Sequence, residues 1–407
     1  MKLYNELPEN YEPYRTPIKL MPTETICCPA SLKVDLYQGC SFSCLYCFAM
    51  DWFLHMYHSW YRPSKPADFS VVEKEFELAF KKNSQKPLSV ALRHRQYVRL
   101  GSMTDSFQHV ELEHKLTKKF FELCNSYDGY PVLIFTKSVL QSRDEYIKLM
   151  KEGNYVCQES ISIWDDTLRK KIEPGTYSTE KRFEALEKLN KHNIPIQVRI
   201  SPHLYPITTI EDTEKIIKRA KEVGCNEVIW EPIRITSSEN NVIKQETGID
   251  MISEMKKLDI VETDYGVGCY RNIYPYRQKV MQQVKDLVED NGMMFYHCLA
   301  EDPNNATCPG EDCCGMNNYS AFDDGRVQRQ MQQLAFLIYE KGELSKDEVT
   351  DLWTCDEKEF NKQWDNGLLA KYLANVIFDG KKYIHCKDAY LGERLKHKKI
   401  VKVDEWL

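Results

Sequence analysis

The sequence predicts an α/β fold, a partial (β/α)6 barrel followed by a smaller C-terminal domain, and three observations predict it. From Ser31 to about Glu231 the chain repeats one theme, a short apolar run and then an amphipathic helical stretch. About six such units are present, short of the eight that close a barrel. From Gly325 onward the pattern changes to three helical stretches and a hairpin, which together resemble a winged helix.

The elements follow in order. Candidate strands are Leu32–Tyr37, Tyr97–Gly101, Val132–Thr136, Val156–Ile163, Ile196–Ser201 and Glu227–Ile233. Helical patterns lie between them, among them Leu112–Tyr127 and Thr179–His192. The latter carries Phe183, Leu186 and Leu189 at three-residue steps; Ser178 and Thr179 are both credible N-caps, and Pro195 ends the stretch before the next strand. In the C-terminal part, helices are expected over 327–339, from Ser345 and Glu348 (a capping box) towards Trp353, and over 357–372. Val376–Phe378 and Lys381–Ile384 read as a hairpin with a two-residue turn at Asp379–Gly380. The expected organisation is an N-terminal extension (1–30), the barrel (31–240), its continuation with a second cysteine group (241–325) and the winged-helix-like domain (326–407).

The chain has 407 residues, 42% apolar and 29% charged, an ordinary globular composition. No apolar run approaches the roughly 18 residues of a membrane span. Met1–Pro13 is polar and acidic without the apolar core of a signal peptide, so a cytoplasmic protein with no membrane partner is expected. The net charge of −6 provides no global positive field for nucleic acid. Arg394–Lys402 is a basic run, read first as a solvated tail.

Fifteen cysteines in a reducing compartment point to metal where clustered and to core packing where scattered. Cys124, Cys157, Cys225, Cys269, Cys355 and Cys386 are isolated and read as small buried hydrophobes. Cys40, Cys44 and Cys47 stand directly after the first strand, where a barrel places its chemistry. Three thiolates at gaps of three and two can wrap an iron–sulfur cluster with backbone turns alone. Three ligands on a four-iron cube leave one iron open, the mark of a reactive site; zinc would want a fourth ligand nearby, and none follows before His55. The second group is Cys298, Cys308, Cys313 and Cys314, with Cys269, Cys27 or Cys28 available to complete it. An auxiliary iron–sulfur cluster, a zinc ion or buried thiols in an irregular loop all fit this spacing.

The first motif, in its place after a strand, closely resembles the signature of the radical SAM superfamily. The resemblance implies a [4Fe–4S] cluster on Cys40, Cys44 and Cys47 and S-adenosylmethionine (SAM) chelated to the open iron. It also implies an external electron donor and a 5′-deoxyadenosyl radical that abstracts hydrogen from a substrate. Further tracts resemble the spore photoproduct lyase-like branch: Gly101-Ser102-Met103-Thr104-Asp105-Ser106-Phe107-Gln108, Thr136-Lys137-Ser138, Arg143-Asp144, Ser160 with Glu173-Pro174-Gly175-Thr176, Arg182, and Arg199-Ile200-Ser201-Pro202. Carried over position by position, Tyr46 is expected near the adenine, Lys137 at the SAM carboxylate and Ser160 near its ribose or methionine. Asp105, Glu173 and Arg199 would orient SAM or substrate. Ser102 falls where the lyase members carry a cysteine hydrogen donor, and a serine O–H is too strong to serve, so a relative rather than a thymine-dimer lyase is implied. The substrate classes that fit are a nucleobase in nucleic acid and a peptide or protein side chain. A contrasting class is an iron–sulfur redox or iron sensor that binds DNA through the winged helix.

Overall fold

The structure is a computed structural model that describes residues 2–4, 11–20, 32–50, 59–61, 64–93, 95–256, 260–264, 268–272, 274–298, 314–322, 341, 343–347, 376–378, 383–385 and 400–401. Two compact units are present. The first comprises 1–18, 33–72 and 99–298, and the second 19–32, 73–98 and 299–407.

Eight strands form the central sheet: β1 (Ile18–Leu20), β2 (Leu32–Val34), β3 (Val98–Leu100), β4 (Val132–Thr136), β5 (Tyr155–Ser160), β6 (Ile196–His203), β7 (Glu227–Pro232) and β8 (Met294–His297). Their order across the sheet is 8-7-6-5-4-3-2-1, so each strand lies beside its predecessor in sequence. The pairs β2–β3, β4–β5, β5–β6, β6–β7 and β7–β8 are parallel. This is the single winding of a (β/α) barrel with two free sheet ends, consistent with a partial barrel. The six predicted strands are all present, and β1 and β8 extend the sheet beyond them.

Helices α1 (Asp144–Lys151), α2 (Asp166–Ile172), α3 (Thr179–Lys191), α4 (Ile210–Glu222) and α5 (Ser237–Thr247) follow successive strands. The N-caps of α2 to α5 are legible; α1 begins after Arg143 without a side-chain cap. The hydroxyl of Ser178 accepts from the Lys181 amide, Thr209 accepts from Asp212, and Thr236 with Glu239 forms a full capping box ahead of α5. Phe183, Leu186 and Leu189 of α3 are fully buried, as their spacing requires. The predicted helix over 112–127 is instead two helices, Glu111–His114 and Leu116–Ser126, broken at Lys115 with φ 55°.

The two faces of the sheet differ. One carries Ile134, Cys157, Val198, Ile200, Val228 and Trp230, all buried and packed as the apolar core. On the other, the guanidinium of Arg199 lies 4.9 Å from the Phe135 ring centre, although β6 and β4 are separated by β5. Strands two places apart are about 9.5 Å apart, so side chains that meet across that gap converge on a concave face. Cys124, Cys157 and Cys225 are buried as small hydrophobes.

In the second unit, Arg93 donates to the Ala79 and Ser84 carbonyls, and the Tyr97 and Phe322 rings pack at 5.6 Å. Val376–Phe378 pairs antiparallel with Tyr383–His385, and Phe378 faces Tyr383. The turn expected at Asp379–Gly380 lies outside the described residues. The three helices expected between 327 and 372, Glu348 and most of the basic run 394–402 lie outside the described residues. No helix among the described residues is long and apolar enough to cross a membrane.

Candidate active site at the carboxyl ends of the strands

The cysteine loop leaves the strand pair Tyr37–Gln38 and Lys65–Pro66. Gly39 turns it at φ 94° and Ser43 at φ 52°, and Cys47 donates its amide to the Cys44 carbonyl. Four tethers fix the loop from outside. Gln108 accepts from the Ser41 amide at 2.9 Å and donates to the Gly39 carbonyl at 3.1 Å. Leu45 donates to the Ile172 carbonyl at 2.9 Å, and Gly175 donates to Phe42 at 3.0 Å. A Cβ on Gly175 would stand 2.4 Å from the Ser41 oxygen and 2.6 Å from Phe42 Cα, so only glycine permits this approach.

Glu173, in the same turn, is fully buried. It accepts from the Tyr46 hydroxyl and from Arg182 Nη2 at 2.9 Å, while Lys137 Nζ stands 3.9 Å away. Burial pushes the Glu173 carboxyl up, but Arg182, Lys137 and Tyr46 outweigh it and hold the group below the usual carboxylate range. Arg182, also fully buried, donates to the Ser160 carbonyl at 2.7 Å. One guanidinium therefore joins the cysteine loop, through Glu173 and Tyr46, to the end of β5.

The sequence-predicted residues fall as follows. Lys137 follows β4; its Nζ donates to the Ser201 carbonyl at 3.2 Å and lies 5.8 Å from the Tyr46 ring centre. Asp105 accepts from the Lys137 amide at 2.7 Å, the Phe107 amide at 2.8 Å and the Thr136 hydroxyl at 3.0 Å; burial raises its carboxyl above the usual range. Ser160 ends β5 beside Arg199, its partner in register. Arg199 pairs with Glu231 at 2.7 Å, and Ser201 donates to the same carboxylate. The Ser102 hydroxyl donates to Asp35 at 3.0 Å. Arg143 and Asp144 are not at the site: they pair with Glu145 and Lys188 on the surface. Sequence reasoning missed Asp35 and Glu231. Each lies at the carboxyl end of its strand but inside the longer runs Leu32–Tyr37 and Glu227–Ile233 expected from the sequence.

The three thiols fit an iron–sulfur cluster. Each of Cys40, Cys44 and Cys47 feels the charge of another of the three, so the thiols converge as a donor set from one short loop. Burial, with the charge of Asp105 and Cys47, pushes Cys40 up to about 12. Burial, with Cys44, pushes Cys47 up to about 12. Cys44 is raised by burial and by Glu173. Cys44 is buried and Cys40 and Cys47 are half-buried, and thiolates in such surroundings need adjacent positive charge, which coordinated iron would supply. In the second cysteine group, Cys298 is half-buried and donates its amide to the Trp230 carbonyl at 2.8 Å, and Cys314 is buried. Cys308 and Cys313 lie outside the described residues, as do Cys27, Cys28, Cys355 and Cys386.

Residues 34–220 match the family model of the radical SAM superfamily. That stretch, a little under half of the chain, is similar to the radical SAM superfamily. An uncharacterized protein of Methanocaldococcus jannaschii is 28% identical over 193 residues, 47% of this chain and 66% of that protein. An uncharacterized protein of Mycobacterium tuberculosis is 27% identical over 184 residues, 44% of this chain and 52% of that protein. The matches thus span about half to two thirds of the length of these relatives. Among solved structures, spore photoproduct lyase complexed with dinucleoside spore photoproduct superposes at a TM-score of 0.53 with 17% identity, over 70% of this chain and 81% of that one. A mutant of that lyase with bound AdoMet and the dinucleoside gives 0.51 and 18%, over 67% and 80%. At such identity the likeness is one of fold alone.

Proposed function

We propose that this protein reductively cleaves SAM at a [4Fe–4S] cluster held by Cys40, Cys44 and Cys47, and uses the resulting 5′-deoxyadenosyl radical to abstract hydrogen from a nucleobase in nucleic acid. The observation that carries the reading is the convergence of the cysteine loop with the ends of β4, β5 and β6 through Tyr46, Glu173, Arg182 and Lys137. When bound, the cluster supplies the electron for SAM cleavage, drawn from an external donor.

The chain's own residues bind and orient. Lys137 presents a cation to the SAM carboxylate, a charge-assisted contact. Ser160, held by Arg182 at its carbonyl, borders the ribose or methionine portion. Tyr46, locked by Glu173, offers its ring to the adenine. Arg199 and Glu231 pair on the concave face, where the substrate's reacting group would enter. Ser102, tied to Asp35, is no hydrogen-atom donor, which separates this chemistry from that of lyases with a cysteine at the matching position. The nucleic-acid substrate is supported by the family resemblance and by the dinucleoside bound to the lyase of similar fold.

Anaerobic reconstitution with iron and sulfide, followed by SAM and a strong reductant, tests the reading. 5′-Deoxyadenosine is expected from the wild type, increased by DNA or RNA. It is expected to be absent from Cys40→Ala, Cys44→Ala and Cys47→Ala, each of which also loses the iron chromophore. An iron-loaded wild type that forms none under any condition would sink the proposal.

A further inference from the structure

Asp105 has both carboxylate oxygens engaged by its own chain. Oδ1 accepts from the Phe107 amide at 2.8 Å and Oδ2 from the Lys137 amide at 2.7 Å, while the Thr136 hydroxyl lies 3.0 Å from each. Each of these partners is a donor, which suits the ionised form, since a carboxylate only accepts. With three protons directed at two oxygens, little of the group is left to orient a ligand. What Asp105 still projects into the site is its charge.

The backbone fixes where that charge falls. Gln108, fully buried, donates through Nε2 to the Asp105 carbonyl at 2.8 Å and to the Gly39 carbonyl at 3.1 Å, and accepts at Oε1 from the Ser41 amide at 2.9 Å. One side-chain amide thus clamps the Asp105 peptide against the two residues that flank Cys40. So held, the Asp105 amide donates to the Cys40 sulfur, as does the Phe42 amide, and the Asp105 carboxylate is the strongest charge acting on that thiol. Cys44 is placed differently. The charge of Glu173 reaches it, but Lys137 and Arg182 oppose that charge.

The potential of an iron–sulfur cluster follows its net charge, the hydrogen bonds to its sulfurs and its exposure. A fixed negative charge beside one ligand disfavours an added electron, and more strongly where water is excluded. We propose that Asp105 sets the reduction potential of the cluster, its carboxylate holding the potential down so that the single electron taken from the external donor is a more strongly reducing one when passed to SAM. The assignment rests on the iron–sulfur reading of Cys40, Cys44 and Cys47. Replacing the side chain removes the charge and leaves the backbone amide at Cys40 in place.

The test is a redox titration, followed by electron paramagnetic resonance, of the full chain, iron-loaded and without SAM. Asp105→Asn is expected to shift the one-electron equilibrium about tenfold towards the reduced cluster, a rise of about 59 mV in the midpoint. Thr136→Val, which removes a donor to the carboxylate and keeps its charge, should leave the midpoint near that of the wild type. Iron content and circular dichroism report folding, and Asp105→Ser supplies the same comparison if D105N does not load iron. Lys137→Met, which removes a charge of opposite sign from Asp105 and Cys44, should lower the midpoint and decides the matter if neither Asp105 variant loads. A wild-type midpoint in D105N or D105S overturns the assignment, as does an equal rise in D105N and T136V, or, where neither Asp105 variant loads, a K137M midpoint that does not fall. Those outcomes with 5′-deoxyadenosine formation by the wild type intact leave the proposed function standing. A wild type that forms no 5′-deoxyadenosine removes the proposed function itself, whatever the midpoints.

Discussion

Three demands meet at Lys137. Its ammonium donates to the Ser201 carbonyl, lies within reach of Glu173, and sits by the Tyr46 ring. Glu173 does not depend on it, because Arg182 pairs with that carboxylate at 2.9 Å in full burial. Removing the lysine charge should therefore spare the scaffold and be felt by an anionic ligand. Lys137→Met is expected to weaken SAM binding by roughly 10- to 100-fold, the scale of one charge-assisted hydrogen bond of about 1.5–3 kcal/mol. Equilibrium binding of SAM to the iron-loaded protein measures it. Unchanged affinity with a lowered melting temperature would assign Lys137 to structure alone. Lys137 and Ser160 were legible because polar residues that end apolar runs fall at strand ends. Glu231 was not, because its acid closes a strand read as apolar through Ile233 and its partner Arg199 lies on a different strand.

At the scale of elements, the turn after α2 does the work of positioning the cysteine loop. Gly175 has no room for a side chain, whereas Gly248, at the end of α5 with φ 78°, has nothing within 4 Å of its added Cβ. The two glycines separate crowding from backbone conformation. Gly175→Ala is expected to cost about 1–3 kcal/mol by overpacking and to lower iron content. Gly248→Ala should cost about 1 kcal/mol with full iron loading. Equal iron loading in both variants would show that the turn does not hold the loop. Helix periodicity predicted one helix over 112–127 and missed its break. Glu111 is buried, accepts from the amides of Thr117 and Lys118 and from the hydroxyls of Tyr37 and Tyr146, and so starts a new helix at Leu116. Those tyrosines come from elsewhere in the chain, and no local pattern announces them. The antiparallel pairing of Val376–Phe378 with Tyr383–His385 was legible in the sequence, because short apolar β-branched and aromatic runs flank an Asp-Gly pair.

For the whole molecule, the sequential strand order was the most legible feature, since each apolar run and the helix after it form one unit of the winding. The polar groups that the winding encloses were less so. Glu159 lies on the helix-covered face of β5, accepts only from Gln141 at 2.8 Å, and has its other oxygen buried without a partner. Burial holds its carboxyl well above the ordinary value of 4.5. The folded state therefore binds a proton that the unfolded chain releases above pH 4.5, and stability falls as pH rises from there. Glu159→Gln removes this dependence, so its denaturation midpoint should exceed that of the wild type by more at pH 8 than at pH 5. A difference that is the same at both values would place the carboxylate in a charged state when folded. The tethers of the cysteine loop carry a last consequence. Tyr46 is fixed by a residue 127 positions later, and Ser41 by one 67 positions later. A ribosome thus releases the three cysteines long before it makes the residues that shape their loop. The loop can therefore take its shape only once the chain has been made as far as α3, which carries the Arg182 that pairs with Glu173.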